Sequence, residues 1–338
     1  MKGVRMATIR DVARLAQVSA GTVSNVLNRP SYVREETRER VLAAIRELDF
    51  VPDQGARQFR PGRVRTLGLA IANLDNPFFV DVALGAEERC KELGVGVVFC
   101  NSGYDPVREQ QNLDLLVQSR VQGIIIAPVD ERSPRLEMLR DRGVPMVFVD
   151  RVGDDRDCWS VVVDDFEGGR LGARHLVAEG HRRIAFLGHP EQSPKVRTRL
   201  AGARNVVDAS PGVELELIEA DSWTIEAGRA AARRLAERVP ARRPTAVFCA
   251  NDMLALGLEQ ELLRGGVRIP DDIAIVGYDD LEWASVSSVP LTTVSQPRFG
   301  LGRTAVDMIM DLLARTSKSV PIANHVVLRP ELVRRESA

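Results

Sequence analysis

Four junctions along this chain place carboxylates and amides directly after a short apolar run. Residues 67–72 lead into Asn73, Asp75 and Asn76-Pro77-Phe78-Phe79, and residues 145–149 into Asp150-Arg151. Residues 245–250 lead into Asn251-Asp252, and residues 273–277 into Tyr278-Asp279-Asp280. Such groups hydrogen-bond hydroxyls in pairs, and an aromatic ring covers the apolar face of a small ring. The set suits binding of a polyhydroxylated or otherwise polar small molecule. Each residue alone is an ordinary helix cap; the convergence of four junctions is the signal.

Catalytic constellations are missing. The chain has no G-x-S-x-G, P-loop or H-E-x-x-H motif. Gly94-Val95-Gly96 lacks a third glycine and precedes a strand. His175, His181, His189 and His325 show no metal spacing, and the adjacent pairs Asp164-Asp165 and Asp279-Asp280 would diverge on strands. No catalytic residue, metal site or cofactor is expected, and the chain is read as a non-enzyme. Cys90, Cys100, Cys158 and Cys249 are scattered, as buried free thiols in a reducing compartment would be.

The elements that must position the four junctions are legible. Apolar runs at 67–72, 95–100, 123–127, 145–149, 183–187, 245–250 and 273–277 read as buried parallel strands. Amphipathic stretches such as 79–93 and 168–179 lie between them. The alternation implies βαβ units and doubly wound sheets, in which ligands bind beyond the carboxyl ends of strands. The elements exceed one sheet of this kind, so two lobes alike in fold are expected.

The first 61 residues follow a different plan. Thr8 with Asp11 makes a capping box that starts a helix at Ile9, and Ile9, Val12, Ala13 and Ala16 form one apolar face. Gln17-Val18 breaks the run and Ser19 caps a second helix. Val23, Val26 and Leu27 face inward there, leaving Ala20, Gly21, Ser24, Asn25 and Asn28 outside. A packed inner face with a small, hydrogen-bonding outer face is what a helix entering the major groove needs. Asn25 is the candidate for a base edge; Thr22 and the backbone at Ser19 suit phosphates. A third helix, 37–48, completes the core. Pro52 and Pro61-Gly62 then bracket about two helical turns containing Gly55, Ala56, Arg57 and Phe59.

With these motifs the head resembles the LacI/GalR family of bacterial repressors: "TIRDVARLAQVSAGTVSNVLN", "EETRERVLAAIRELDFVP" and the hinge "AR" follow its pattern. The resemblance implies that Thr8, Ser19, Ala20, Gly21, Thr22, Ser24, Asn25, Asn28, Ala56, Arg57 and Phe59 contact DNA. Phe59 stands where the family usually has a Leu wedge for the minor groove. Arg34 stands where a capping Ser is usual. "NPFF", "GVPMVFVDR", "RLAG", "ANDMLALG", "IPDDIAIVGYDD", "PLTTVSQP" and "LRPELVRRES" extend the resemblance through the body. It implies a two-lobed type I periplasmic-binding-protein-like fold, with Asp75, Phe78, Asp150, Arg199, Trp223, Asn251 and Asp279 as effector positions.

The expected organisation is a helix-turn-helix headpiece at 7–50, a hinge helix at 51–62 and an effector-binding and dimerisation core at 66–335. The N-lobe takes 66–163 and 293–323, and the C-lobe 164–292 and 324–335. Residues 1–65 carry 13 Lys/Arg against 7 Asp/Glu, so a basic head precedes a body of net charge −7. No secretory h-region opens the chain and no apolar run reaches the ~18 residues of a membrane span, so a cytoplasmic protein without membrane partners is expected. The reading is a dimeric transcription regulator, a repressor, binding a pseudo-palindromic operator under control of a polar effector, with a sugar or sugar derivative favoured. The absence of a C-terminal leucine heptad favours a dimer over a tetramer. The rivals are a sugar-processing α/β enzyme and a solute-binding receptor with a fused DNA-binding head.

Overall fold

The computed structural model describes residues 7–48, 50, 65–130, 133–151, 158–239, 242–314 and 324–338. The chain divides into two compact units, Met1–Arg63 and Val64–Ala338. The hinge expected at 51–62, with Ala56, Arg57 and Phe59, lies outside the described residues.

Among the described residues the first unit holds three α-helices, α1 (Ile9–Leu15), α2 (Ala20–Asn28) and α3 (Glu35–Glu47). Thr8 and Asp11 form the expected capping box: the Thr8 amide donates to the Asp11 carboxylate at 2.9 Å, and the Asp11 amide donates back to Oγ1. Gln17, at φ +55°, turns the chain between α1 and α2. Ser19 then caps α2 by accepting from the Thr22 amide at 3.0 Å. Val12, Ala13, Ala16, Val23, Val26, Val41, Ala44 and Phe50 are the buried core. Helix α3 starts two residues earlier than the apolar pattern indicates. Arg34 supplies no side-chain cap. Glu35 and Glu36 instead place negative charge in the first turn, where the helix dipole favours it.

The second unit contains two six-stranded sheets. The strands of the first are β1 (Arg65–Ile71), β2 (Val95–Asn101), β3 (Ile124–Ile126), β4 (Met146–Val149), β5 (Trp159–Val163) and β11 (His325–Leu328). Those of the second are β6 (Arg183–Gly188), β7 (Glu214–Glu219), β8 (Ala246–Cys249), β9 (Ala274–Asp279), β10 (Thr292–Ser295) and β12 (Glu331–Val333). The first has the order β11-β5-β4-β3-β1-β2 and the second β12-β10-β9-β8-β6-β7. All pairings are parallel except β10 with β12. Strands buried on both faces, such as Leu67–Ile71 and Ala246–Cys249, form the centre of each lobe.

The lobe boundaries need correction at the two late crossings. Strand β10 belongs to the second sheet, paired with β9, so residues 293–295 are not N-lobe. Strand β11 extends the first sheet beside β5, so residues 325–328 are not C-lobe. The chain returns to the first lobe only after Ser295, where the helix Arg298–Ala314 packs on Pro77–Glu92. It leaves again after Leu328.

Each lobe brings its helices to the sheet edge with local signals. Asn76 accepts from the Phe78 amide at 3.0 Å with Pro77 in the first turn, and Ser193 caps the helix Pro194–Asp208 by accepting from the Val196 amide at 3.5 Å, with Pro194 in the first turn. Asn251 accepts from the Leu254 amide at 3.0 Å and starts the helix Asp252–Arg264. These three caps stand at the carboxyl ends of β1, β6 and β8.

Candidate functional site

A cavity of about 220 Å³ lies between the two lobes of the body. Phe78, Asp150, Arg199, Trp223, Asn251 and Asp279, six of the seven expected effector positions, line it. The seventh, Asp75, is exposed, its amide held by the Asn73 side chain at 3.0 Å, and it is not in the cavity wall. The first lobe supplies mainly apolar surface, including Phe78, Phe79, Pro128 and Val129. Phe78 and Phe79 meet edge to face with ring centres 5.1 Å apart. The second lobe supplies Arg199, Trp223, Asn251 and Asp279.

Arg199 is fixed from several directions. Its Nε donates to Asp165 at 2.7 Å, its Nη1 donates to the Ala250 carbonyl at 2.7 Å, and its guanidinium lies 3.6 Å from the Tyr278 ring centre. Tyr278 closes the loop by donating to Asp165 at 3.1 Å. Burial works against the Arg199 charge, but the neighbouring Asp165 carboxylate outweighs it and holds the guanidinium protonated. The result is a fixed, buried cation in the cavity wall, suited to a hydroxyl pair or a carboxylate.

The carboxylates are tuned by burial. Asp279, at φ +119°, accepts from Gln296 at 2.5 Å, and burial pushes its carboxyl up to about 6 against the pull of Arg199. Behind it Asp252 is fully buried, accepting from the Leu281 amide at 2.8 Å and the Thr293 hydroxyl at 2.6 Å. Burial and then repulsion from Asp279 raise Asp252 to about 8. Asp150, at φ +64°, is also pushed up by burial, and its ion pair with Lys195 pulls it back. Asn251 spends its amide on the Trp223 carbonyl at 3.2 Å, which ties that aromatic to the strand end. Outside the cavity, Asp280 pairs with Arg335 at 2.7 Å.

Sequence reasoning missed Lys195, Gln296 and Asp165. Lys195 follows β6, and the rule that ligands bind beyond the carboxyl ends of strands covers it as well. Gln296 follows β10, a strand too short and too rich in Thr and Ser to stand out. Asp165 acts through Arg199, a contact across 34 residues that no spacing reveals.

The head presents the other candidate surface. Ala20, Gly21 and Asn25 are exposed on α2, and Thr22 and Ser24 are half-buried. The exposed Ser19 hydroxyl lies 2.9 Å from that of Thr22. Val23 and Val26 are turned into the core, so the two-faced helix is present. The Thr8 hydroxyl is engaged by Asp11 at 2.6 Å. Asn28 ends α2, and its side chain lies outside the described residues. Arg10, Arg14, Arg29, Arg34, Arg40 and Arg46 are exposed on the same unit. Among the described residues no group could hold a metal ion, and no helix is long and apolar enough to cross a membrane.

Known proteins share both halves of this arrangement. Residues 8–53 match the bacterial regulatory proteins of the lacI family, and residues 64–326 match the periplasmic binding proteins and sugar binding domain of the LacI family. The chain is 36% identical over 338 residues to the HTH-type transcriptional repressor PurR of Photobacterium profundum, covering 98% of each. It is 35% identical over 339 residues to the ribose operon repressor of Escherichia coli, covering 98% of this chain and 100% of that one. The structure of the lac repressor dimer bound to operator and the anti-inducer ONPF superposes with a TM-score of 0.82 at 31% identity, covering 98% of this chain and 99% of that chain.

Proposed function

The chain belongs to the LacI family of bacterial regulatory proteins, and from that premise we propose how it works: as a cytoplasmic homodimeric repressor whose grip on a pseudo-palindromic operator is set by a small polar effector between the lobes. A transcriptional regulator of this family is not an enzyme, in keeping with a sequence that lacks a nucleophile motif. The observation that carries the effector reading is the convergence of Phe78, Asp150, Arg199, Trp223, Asn251 and Asp279 on one cavity of about 220 Å³. Carboxylates and amides beside a fixed guanidinium, with Trp223 and Phe78 as apolar faces, suit a sugar or sugar derivative.

A thermal-shift panel of pentoses, hexoses, sugar phosphates and nucleobases tests this. A ligand at 100 times its Kd adds about 2.7 kcal/mol to stability. A sugar is expected to raise Tm in the native protein and not in Asp279→Asn or Trp223→Ala. A shift given by nucleobases alone would overturn the sugar reading.

On the DNA side, Ser19, Thr22 and the N-terminus of α2 are positioned for phosphates, and Asn25 for a base edge. Thr8, Ala20, Gly21, Ser24, Asn28, Ala56 and Arg57 complete the proposed contact surface, with Phe59 as the minor-groove wedge. Asn25→Ala is expected to relax base preference more than it weakens binding to random DNA. Equal loss on both would remove Asn25 from that role. Phe59→Ala is expected to weaken operator binding and leave effector affinity of the free protein unchanged.

A further inference from the structure

Lys195 occupies a poor place for a cation. It is the second residue of the helix Pro194–Asp208, where the backbone dipoles favour negative charge, and that first turn carries no acidic side chain. Its compensation comes from the other lobe. The amine is ion-paired with Asp150, at the end of β4, and stands 5.4 and 5.9 Å from the ring centres of Phe78 and Phe79. Both rings are within cation–π reach and both belong to the first lobe. Asp150 is buried, and its left-handed backbone turns it away from the strand direction. The pair also has a particular location. Asp150 and Lys195 line the inner cavity and, equally, a wider opening of about 750 Å³ bounded by Val163, Phe166 and Thr198.

We propose that Lys195 and Asp150 form a latch between the lobes, a closing force built into the chain that acts without an effector. Parting the lobes would separate the charges and take the amine away from both rings. Two favourable contacts would be lost together, and Lys195 would be left at a helix end that disfavours it. The latch sets the starting lobe equilibrium that any effector must shift. Its consequence for regulation rests on the reading of the cavity as the effector site. The latch itself does not, and its test uses no small molecule, so failure of one leaves the other standing.

Hydrogen exchange on the full chain, comparing Asp150→Asn, Lys195→Gln and the double variant, provides that test. Asn tolerates the left-handed backbone at 150. A latch predicts that each single variant exchanges several-fold faster at the amides of Val129 in the first lobe and Arg197 in the second. The double variant should be no faster than the quicker single, because the two changes break one interaction. Core amides of β3 and β8 should keep their native rates. Additive acceleration in the double variant, unchanged rates in the singles, or equal acceleration of the β3 and β8 amides would each overturn the proposal.

Discussion

The two lobes repeat one scaffold and fill it with opposite chemistry. Their sheets share a strand order, with β4 and β9 in corresponding places, and an aspartate held at positive φ stands at the end of each, Asp150 directly after β4 and Asp279 as the last residue of β9. In each lobe the helix that crosses over from the other sheet packs through reciprocal glycines on the helix that follows β1 or β6. A Cβ on Gly85 would fall 2.1 Å from the Phe299 carbonyl oxygen, and one on Gly302 2.0 Å from that of Val82. In the second lobe a Cβ on Gly202 would fall 2.1 Å from the Phe166 oxygen, and one on Gly169 2.0 Å from that of Arg199. The matched spacing makes Val82 the counterpart of Arg199, Phe78 that of Lys195, and Arg298 that of Asp165. Where the first lobe buries a valine, the second buries an arginine. At this helix pair the first lobe is therefore an apolar cover and the second a charged anchor.

The largest test of that contrast is to remove the anchor. Arg199→Met would leave Asp165 and the Ala250 carbonyl without their buried partner and take the cation away from the Tyr278 ring. Breaking a buried pair from one side costs about 3–5 kcal/mol, so urea unfolding should show a loss of that size. Val82→Ala, at the counterpart position, should cost less, about 1–3 kcal/mol for a buried methyl pair. Equal losses would mean that Arg199 is no more an anchor than Val82. Next in size is the shared scaffold. Gly85→Ala and Gly202→Ala each force a side chain against a backbone carbonyl, and overpacking of this kind costs about 1–3 kcal/mol. Similar losses at both sites support the correspondence; a loss at only one would break it.

How much of this was readable beforehand differs by lobe and by kind of contact. The central strands were legible because both their faces are buried, which writes a continuous apolar run into 67–71 or 246–249. Edge strand β7 was not: it reads Glu-Leu-Glu-Leu-Ile-Glu with its charges outward. Strands β10, β11 and β12 are three or four residues long, too short to show a period. The cavity residues at the ends of predicted strands were found by the edge rule alone. Asp165 and Gln296 were not, because each acts through another residue, Arg199 or Asp279. The helix-pair correspondence was also invisible, since counterparts such as Val82 and Arg199 share no chemistry.

The anchor lobe should also respond to pH through two buried carboxyls that neighbour each other. The Asp252 and Asp279 carboxyls are both raised in the folded chain, by burial first. A raised carboxyl contributes stability that is full below the ordinary carboxylate range and lost as pH rises through the folded value. For this pair the loss spans about pH 4 to 8. Asp252→Asn removes one of the two titrations and relieves the repulsion on the other. It preserves the bond from the Leu281 amide. The variant should therefore gain on the native protein by about 1–2 kcal/mol between pH 5.5 and 8.5, read from unfolding midpoints at each pH. A constant difference across that range would show that the pair does not titrate there.

The smallest effect is the most discriminating, because it concerns the same place in the scaffold with the charges exchanged. Arg298, the counterpart of Asp165, donates to Asp81 at 2.8 Å, one residue before the counterpart of Arg199. The Asp81 side chain keeps 35% of its exposure, whereas Asp165 keeps 12% and its partner Arg199 only 6%. Water screens the first pair and is largely excluded from the second, so equal separations carry unequal free energies. Asp81→Asn should cost below about 1 kcal/mol, while Asp165→Asn should approach the loss expected for Arg199→Met. If the two asparagine variants unfold at the same denaturant concentration, exposure is not what separates the lobes. The contrast between cover and anchor would then have to rest on Val82 and Arg199 alone.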